Sequence, residues 1–182
     1  VVEIVYETHA TSTDNEAGIA TGWLGGRLSV TGRRQAAELG ERRRDDGIAA
    51  AFVSDLARAI ETAEIALAGS GIPVTRDARL RECDYGELNG MPVARMAAER
   101  SGHVDEPWPG GESYRQVAER TRSFLADIGA AWPGRRILVI AHSANRWALQ
   151  SLLEGADLRD LVDAPFAWQP GWDFTLPEGW PD

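Results

Sequence analysis

Val1-Val2-Glu3-Ile4-Val5-Tyr6-Glu7-Thr8-His9 opens the chain, a run rich in β-branched residues that stops on a histidine. Such residues suit a pleated, buried surface, so residues 1–6 read as a strand. A counterpart lies far along the chain. Arg136-Ile137-Leu138-Val139-Ile140-Ala141-His142 is the most apolar strand candidate of the sequence, and it too stops on a histidine. Between these runs the pattern alternates. Residues 31–44 read as a helix that Thr31 caps, 48–53 as a strand, and 56–68 as a helix with Ile60, Ala63, Ile65 and Ala66 on one face. Residues 72–75 read as a short strand and 93–101 as a short helix. Residues 113–132 read as a long amphipathic helix, burying Val117, Thr121, Phe124, Leu125 and Ile128 and ending at Pro133-Gly134. A helix over 145–153 follows the second histidine, and an edge strand fits 172–176. Residues 7–32 read as a long irregular loop.

Alternating strands and helices predict an α/β protein: a three-layer α/β/α sandwich around a mostly parallel sheet, in one domain over residues 1–182. In such sheets a ligand sits beyond the carboxyl ends of the strands. His9 and His142 both stand there. The third histidine, His103, lies in a polar stretch and reads as surface.

Composition narrows the function classes. The 182 residues are 43% hydrophobic and 26% charged, an ordinary globular profile. A formal net charge of −9 argues against nucleic acid or an anionic membrane as partner. It leaves room for a small anionic substrate, because a local Arg cluster works inside an acidic shell. Cys83 is the only cysteine, which excludes an internal disulfide and a cysteine-built zinc site. No leader is legible before the first strand and no apolar run is long enough for a bilayer, so a cytoplasmic location is expected. Two His without a third ligand at a recognisable spacing make no convincing metal site, although Asp14 or Glu16 is available to one. Neither metal nor cofactor is expected, and the oligomeric state is not legible.

The motifs around the two histidines resemble the histidine phosphatase superfamily, which includes the cofactor-dependent phosphoglycerate mutases. The resemblance runs in order from Val2 to about Leu152. Thr8-His9-Ala10-Thr11-Ser12-Thr13-Asp14-Asn15 is similar to the family's Arg-His-Gly-Glu-Thr-x-x-Asn, matching at His9 and Asn15. Gly22-Trp23-Leu24 and Leu28-Ser29-Val30-Thr31-Gly32-Arg33-Arg34-Gln35-Ala36 follow. Then come Ser54-Asp55-Leu56-Ala57-Arg58-Ala59 with Thr62-Ala63, Leu80-Arg81-Glu82 with Gly86 and Gly90, and Gly110-Gly111-Glu112-Ser113. The resemblance implies a metal-independent phosphatase acting on a small phosphate monoester. His9 is then the nucleophile that forms a phosphohistidine, and Glu82 the general acid and base. Arg58 grips the phosphoryl oxygens from the first turn of a helix, His142 donates to a phosphoryl oxygen, and Asn15 adds a neutral donor. Plain alternatives stand beside these roles. Glu82 pairs with Arg81 in a purely structural reading, and Asn15 is then an ordinary turn residue. Glu112 reads as a residue of a helix start, Gly86 and Gly90 as backbone geometry, and Trp23 as a wall at the pocket mouth.

The departure is Thr8, where the resemblance expects Arg. One missing phosphate donor weakens transition-state binding by roughly 3 kcal/mol, judged from single oxyanion-hole donors. Three accounts follow. Arg27, after Gly25-Gly26 in the same loop, substitutes; or Thr8 leaves room for another substrate group; or the chain has lost phosphatase chemistry. The last leaves a catalytically silent ligand-binding protein, or a transferase or lyase that reuses the His pair. Strand alternation turns Glu7 away from Thr8. Specificity is expected from residues 11–27 and 90–110.

Overall fold

The computed structural model describes residues 1–181. Its strands are β1 (Val2–Thr8), β2 (Ile19–Ala20), β3 (Ala50–Ser54), β4 (Val74–Asp77), β5 (Met91–Pro92), β6 (Arg136–Ala141) and β7 (Trp172–Leu176). Its α-helices are α1 (Thr13–Ala17), α2 (Val30–Arg43), α3 (Ala57–Ala66), α4 (Val93–Glu99), α5 (Tyr114–Ala131), α6 (Ser143–Glu154) and α7 (Leu158–Asp163). Five strands form the main sheet in the order β4-β3-β6-β1-β7. All pairs are parallel except β1 with β7, which is antiparallel at the edge. The expected α/β/α architecture is therefore present.

Strand alternation explains the layers. Ile4 and Tyr6 of β1, with Ile137 and Val139 of β6, face Phe124, Leu125 and Ile128 of α5. Val5, with Leu138 and Ile140, faces Leu39 of α2 and Ala59 and Ala63 of α3. Two-sided burial is why these strands read as continuous apolar runs.

Local chemistry shifts several boundaries. Ser29, not Thr31, caps α2: its side chain accepts from the Gly32 N–H, so the helix starts at Val30. A Cβ at Gly32 would lie 1.8 Å from the Thr11 carbonyl oxygen, so glycine lets α2 pack against the loop after β1. Residues 7–32 are more ordered than expected. β1 runs on to Thr8, and α1 forms because Ser12 and Asn15 make a reciprocal capping box. α7, capped by Asp157, is too short for its periodicity to show in the sequence. The predicted limits of β6 and β7 match the structure. His103 is half-buried, stacked on Trp108 at 3.8 Å between ring centroids. No helix among the described residues is long and apolar enough to cross a membrane.

Candidate active site

The strand order assembles the site. β3, β6 and β1 lie side by side and parallel, with Thr8 opposite Ala141 and Val53 opposite Ile140. Their next residues therefore emerge together: Ser54 ends β3, His142 follows β6 and His9 follows β1. The two imidazole rings lie 5.1 Å apart between centroids.

His9 is half-buried and held from one side. Its Nδ1 lies 2.7 Å from the Ala10 carbonyl oxygen, which only accepts, so Nδ1 carries the proton and Nε2 keeps its lone pair. The Ala10 N–H donates to Thr62 Oγ1 at 3.0 Å, and Thr62 donates to the Arg58 carbonyl at 2.7 Å. Thr62 thus ties the loop of His9 to the helix that carries Arg58. Burial, and next the Arg58 charge, push the His9 pKa down to about 3, so the ring is neutral across the physiological range.

Arg58 stands on the first turn of α3, only 3% exposed. Its Nη2 donates to the Gly22 carbonyl at 2.9 Å, while Nη1 is buried without a partner. Burial lowers its pKa, against the opposing pull of Glu82. An orphaned guanidinium donor in a cavity wall needs a hydrogen-bond acceptor, which an anion would supply. His142 is buried, with Nε2 2.8 Å from Ser54 Oγ and Nδ1 without a partner. Burial holds its pKa well below the usual imidazole value, with Arg58 and His9 adding to the effect.

Glu82 accepts the Cys83 N–H through Oε1 at 2.7 Å. Its backbone carbonyl accepts from Trp23 Nε1 at 2.7 Å and from Arg120 Nη2 at 2.9 Å. Burial raises its pKa, against the lowering influence of its hydrogen bond and of Arg58. Arg81 does not pair with it, for its guanidinium clasps Asp55 with two bonds of 2.7 Å. Asn15 accepts the Ser12 N–H through Oδ1 at 2.9 Å, leaving its amide NH2 to donate. Glu112 lies just ahead of α5, but its carboxylate binds the Asp84 N–H and Arg120, and Ser113 caps the helix instead. Gly86, at φ +57°, packs against Pro109, where a Cβ would lie 2.2 Å from the carbonyl oxygen.

Thr8, His9, Asn15, Arg58 and Glu82 line one cavity of about 1010 Å³, whereas His142, 1% exposed, is outside the lining with its ring 5.1 Å from that of His9. Arg27 is a correction: it is exposed and outside the lining. The antiparallel bridge between Ser12 and Leu28 fixes this strand-like stretch, Leu28 turns inward with 2% exposure, and alternation sends Arg27 outward. Trp23 is also outside the lining, acting instead as a clamp on the Glu82 backbone. Glu7 does turn from Thr8. It is buried beneath α2, where Arg42 binds both carboxylate oxygens at 2.9 and 2.8 Å and Arg43 adds a third bond. The remaining walls come from α2 (Gln35, Glu38, Arg42), from α4 (Val93, Met96, Ala97) and from Arg100 just beyond it. Ser143 and Trp147 of α6 and the stretch from Asp163 to Trp168 complete them. Sequence reasoning missed Ser54, Thr62 and this last wall. Ser54 and Thr62 stood within a quoted motif, but their roles depend on which strands are neighbours.

Residues 8–167 match the profile of the Histidine phosphatase superfamily (branch 1). The chain belongs to this family. Relatives include an uncharacterized phosphatase, PhoE, of Bacillus subtilis, 32% identical over 71% of this chain and 66% of its own length. A probable phosphoglycerate mutase, GpmB, of Salmonella newport is 34% identical over 70% of this chain and 63% of its own length. The match thus spans just under two thirds of these relatives. Among solved structures, Bacillus stearothermophilus YhfR shares the fold at a TM-score of 0.87 and 24% identity, over 98% of this chain and 93% of its own. A mycobacterial glucosyl-3-phosphoglycerate phosphatase, solved with VO3, has a TM-score of 0.77 at 29% identity, over 88% of this chain and 85% of its own. Family members of this kind act on phosphorylated small molecules.

Proposed function

We propose that this chain is a phosphatase that hydrolyses a small phosphate monoester through a phosphohistidine on His9, using side chains alone. The observation that carries the reading is the pairing of a neutral, lone-pair-bearing His9 Nε2 with the unpartnered Arg58 Nη1 in one cavity. In the first half-reaction Nε2 attacks phosphorus and the P–O ester bond breaks. Glu82, whose pKa burial raises, gives its proton to the leaving alcohol oxygen. In the second half Glu82 takes a proton from water, the water oxygen attacks phosphorus, and the P–N bond breaks to free His9 and inorganic phosphate. Arg58 stabilises the phosphoryl charge throughout. His142 donates from Nδ1. Ser54 Oγ already accepts the Leu56 N–H at 3.2 Å, so its own hydroxyl proton is free to bind His142 Nε2 and leave the imidazole proton on Nδ1.

A screen of phosphate monoesters, with alkaline-quench trapping of a labelled protein, tests the scheme. Turnover and an acid-labile, base-stable label that vanish in His9→Ala are expected. Hydrolysis that survives His9→Ala unchanged, or no hydrolysis of any ester, refutes it.

A further inference from the structure

The cavity is far larger than phosphoryl chemistry alone requires. At about 1010 Å³ it reaches the upper range of sites that hold a whole small molecule, of which a phosphoryl group fills a small part. The rest of its lining is apolar. Val93, Met96 and Ala97 of α4 all line it, and their spacing of three and four residues puts them on one helix face. α4 has no fully buried residue, so this face is turned to the cavity rather than lost in the core. Trp147 of α6, with Phe166 and Trp168 on the connection between α7 and β7, adds three aromatic rings.

Exposure makes the wall unusual. Phe166 is 52% and Trp168 61% exposed. Among the described residues eight large apolar side chains are exposed, and Val93, Phe166 and Trp168 are three of them. Exposed apolar residues scattered singly are ordinary, whereas several walling one cavity with polar groups at its rim mark a place for an apolar ligand. Charge points the same way. Apart from Arg58 and Glu82, the lining sets Arg42 and Arg100 against Glu38 and Asp163. Arg42 is bound by Glu7, and Arg100 donates to the Ala164 carbonyl at 2.7 Å. Position 8 is a threonine. A second anionic group on the substrate would therefore meet no surplus of positive charge.

We propose that the substrate's alcohol is a bulky apolar group, seated against α4 and the rings of Trp147, Phe166 and Trp168 while its phosphoryl group meets His9. The proposal deepens the phosphatase reading and rests on it. Its test is kcat/KM over primary n-alkyl phosphates from ethyl to octyl. These share nearly one leaving-group acidity, so chain length reports contact with the wall. Each added methylene should raise kcat/KM about two- to fourfold, fourfold being about 0.8 kcal/mol per buried CH2. 3-Phosphoglycerate, whose carboxylate would stand among apolar groups and balanced charges, should fall about tenfold or more below propyl phosphate. Phe166→Ser with Trp168→Ser removes two exposed rings, so the fold should hold, and the octyl-to-ethyl ratio should drop about tenfold or more. A wild-type series flat in chain length, or 3-phosphoglycerate turned over faster than propyl phosphate, overturns the proposal and leaves the phosphatase reading standing. A rise that the double variant leaves unchanged places the chain on another wall and overturns the proposal as well. Hydrolysis of no ester refutes the phosphatase reading, and this proposal with it.

Discussion

Thr62→Val removes one oxygen atom at nearly constant volume and tests how His9 is held. Thr62 is fully buried, and its Oγ1 is the partner of the Ala10 N–H at 3.0 Å. The same hydroxyl donates to the Arg58 carbonyl at 2.7 Å. Valine leaves the Ala10 N–H buried and unsatisfied, which costs about 1–3 kcal/mol. The Arg58 carbonyl keeps its helical acceptor role, so its loss adds only about 0.5–1 kcal/mol. The sum, about 1.5–4 kcal/mol, is a large share of a typical domain's 5–15 kcal/mol. At about 2–4 °C per kcal/mol for a chain of this size, the melting temperature should fall by roughly 3–16 °C. Ala10 also accepts the His9 proton, so turnover measured well below the melting point should fall about tenfold as the imidazole loses its fixed direction. Thr62→Ser, which keeps the hydroxyl, serves as the control. It should lose about 1 kcal/mol for the missing methyl and keep most of the turnover. Thermal melts and ester hydrolysis read both quantities. A valine variant as stable and as active as the wild type would show that Thr62 does not position His9, and the reasoning fails.

Further outcomes follow from the same geometry. With the His9 pKa at about 3, ester hydrolysis should not decline as pH falls through 6.5. It should decline on the alkaline side as Glu82 loses its proton, and Glu82→Gln should abolish that limb along with most of kcat in a pH–rate profile. The stability counterpart has a definite sign. The unfolded chain binds a proton on His9 near the usual 6.5 and the folded chain only near 3, so stability is lost as pH falls across that window. His9→Gln should flatten that part of the dependence in denaturant titrations. Glu7→Gln leaves Arg42 and Arg43 facing a neutral amide and should cost about 3 kcal/mol in urea unfolding, while a change under 0.5 kcal/mol would deny the pair any role. Ser54→Ala should cut turnover about tenfold by freeing the His142 ring, and should cost about 1–3 kcal/mol because the buried Leu56 N–H loses its acceptor. Arg27→Ala should leave turnover within about twofold, since its side chain points to solvent.

Most of the architecture was legible because it rests on local signals. The apolar runs at 1–6 and 136–141, the inward face of α5 and the Pro133-Gly134 stop are written residue by residue. Segments that depend on short caps were less legible. α1 exists through a Ser12–Asn15 exchange within a stretch that reads as loop, and Ser29 outcompetes Thr31 because its oxygen meets the Gly32 N–H. Arg27 shows how proximity along the chain misleads. It lies close to the site in sequence, yet one bridge to Ser12 fixes its outward parity.

The sequence by itself determined that two strands end on histidines, that Arg58 begins a helix, that Glu82 sits in a glycine-spaced turn, and that position 8 carries no guanidinium. These are properties of composition and spacing, which the chain carries before it folds. Only the tertiary structure decided that β3, β6 and β1 are neighbours, so that Ser54, His142 and His9 meet. It alone decided that Thr62 anchors Ala10, and that Phe166 and Trp168 wall the cavity from more than 150 residues beyond His9. The physical reason is the same in each case. Strand order, and the parity of a side chain within a sheet or bridge, are set by burying apolar faces against distant elements, and no local window of sequence records that pairing.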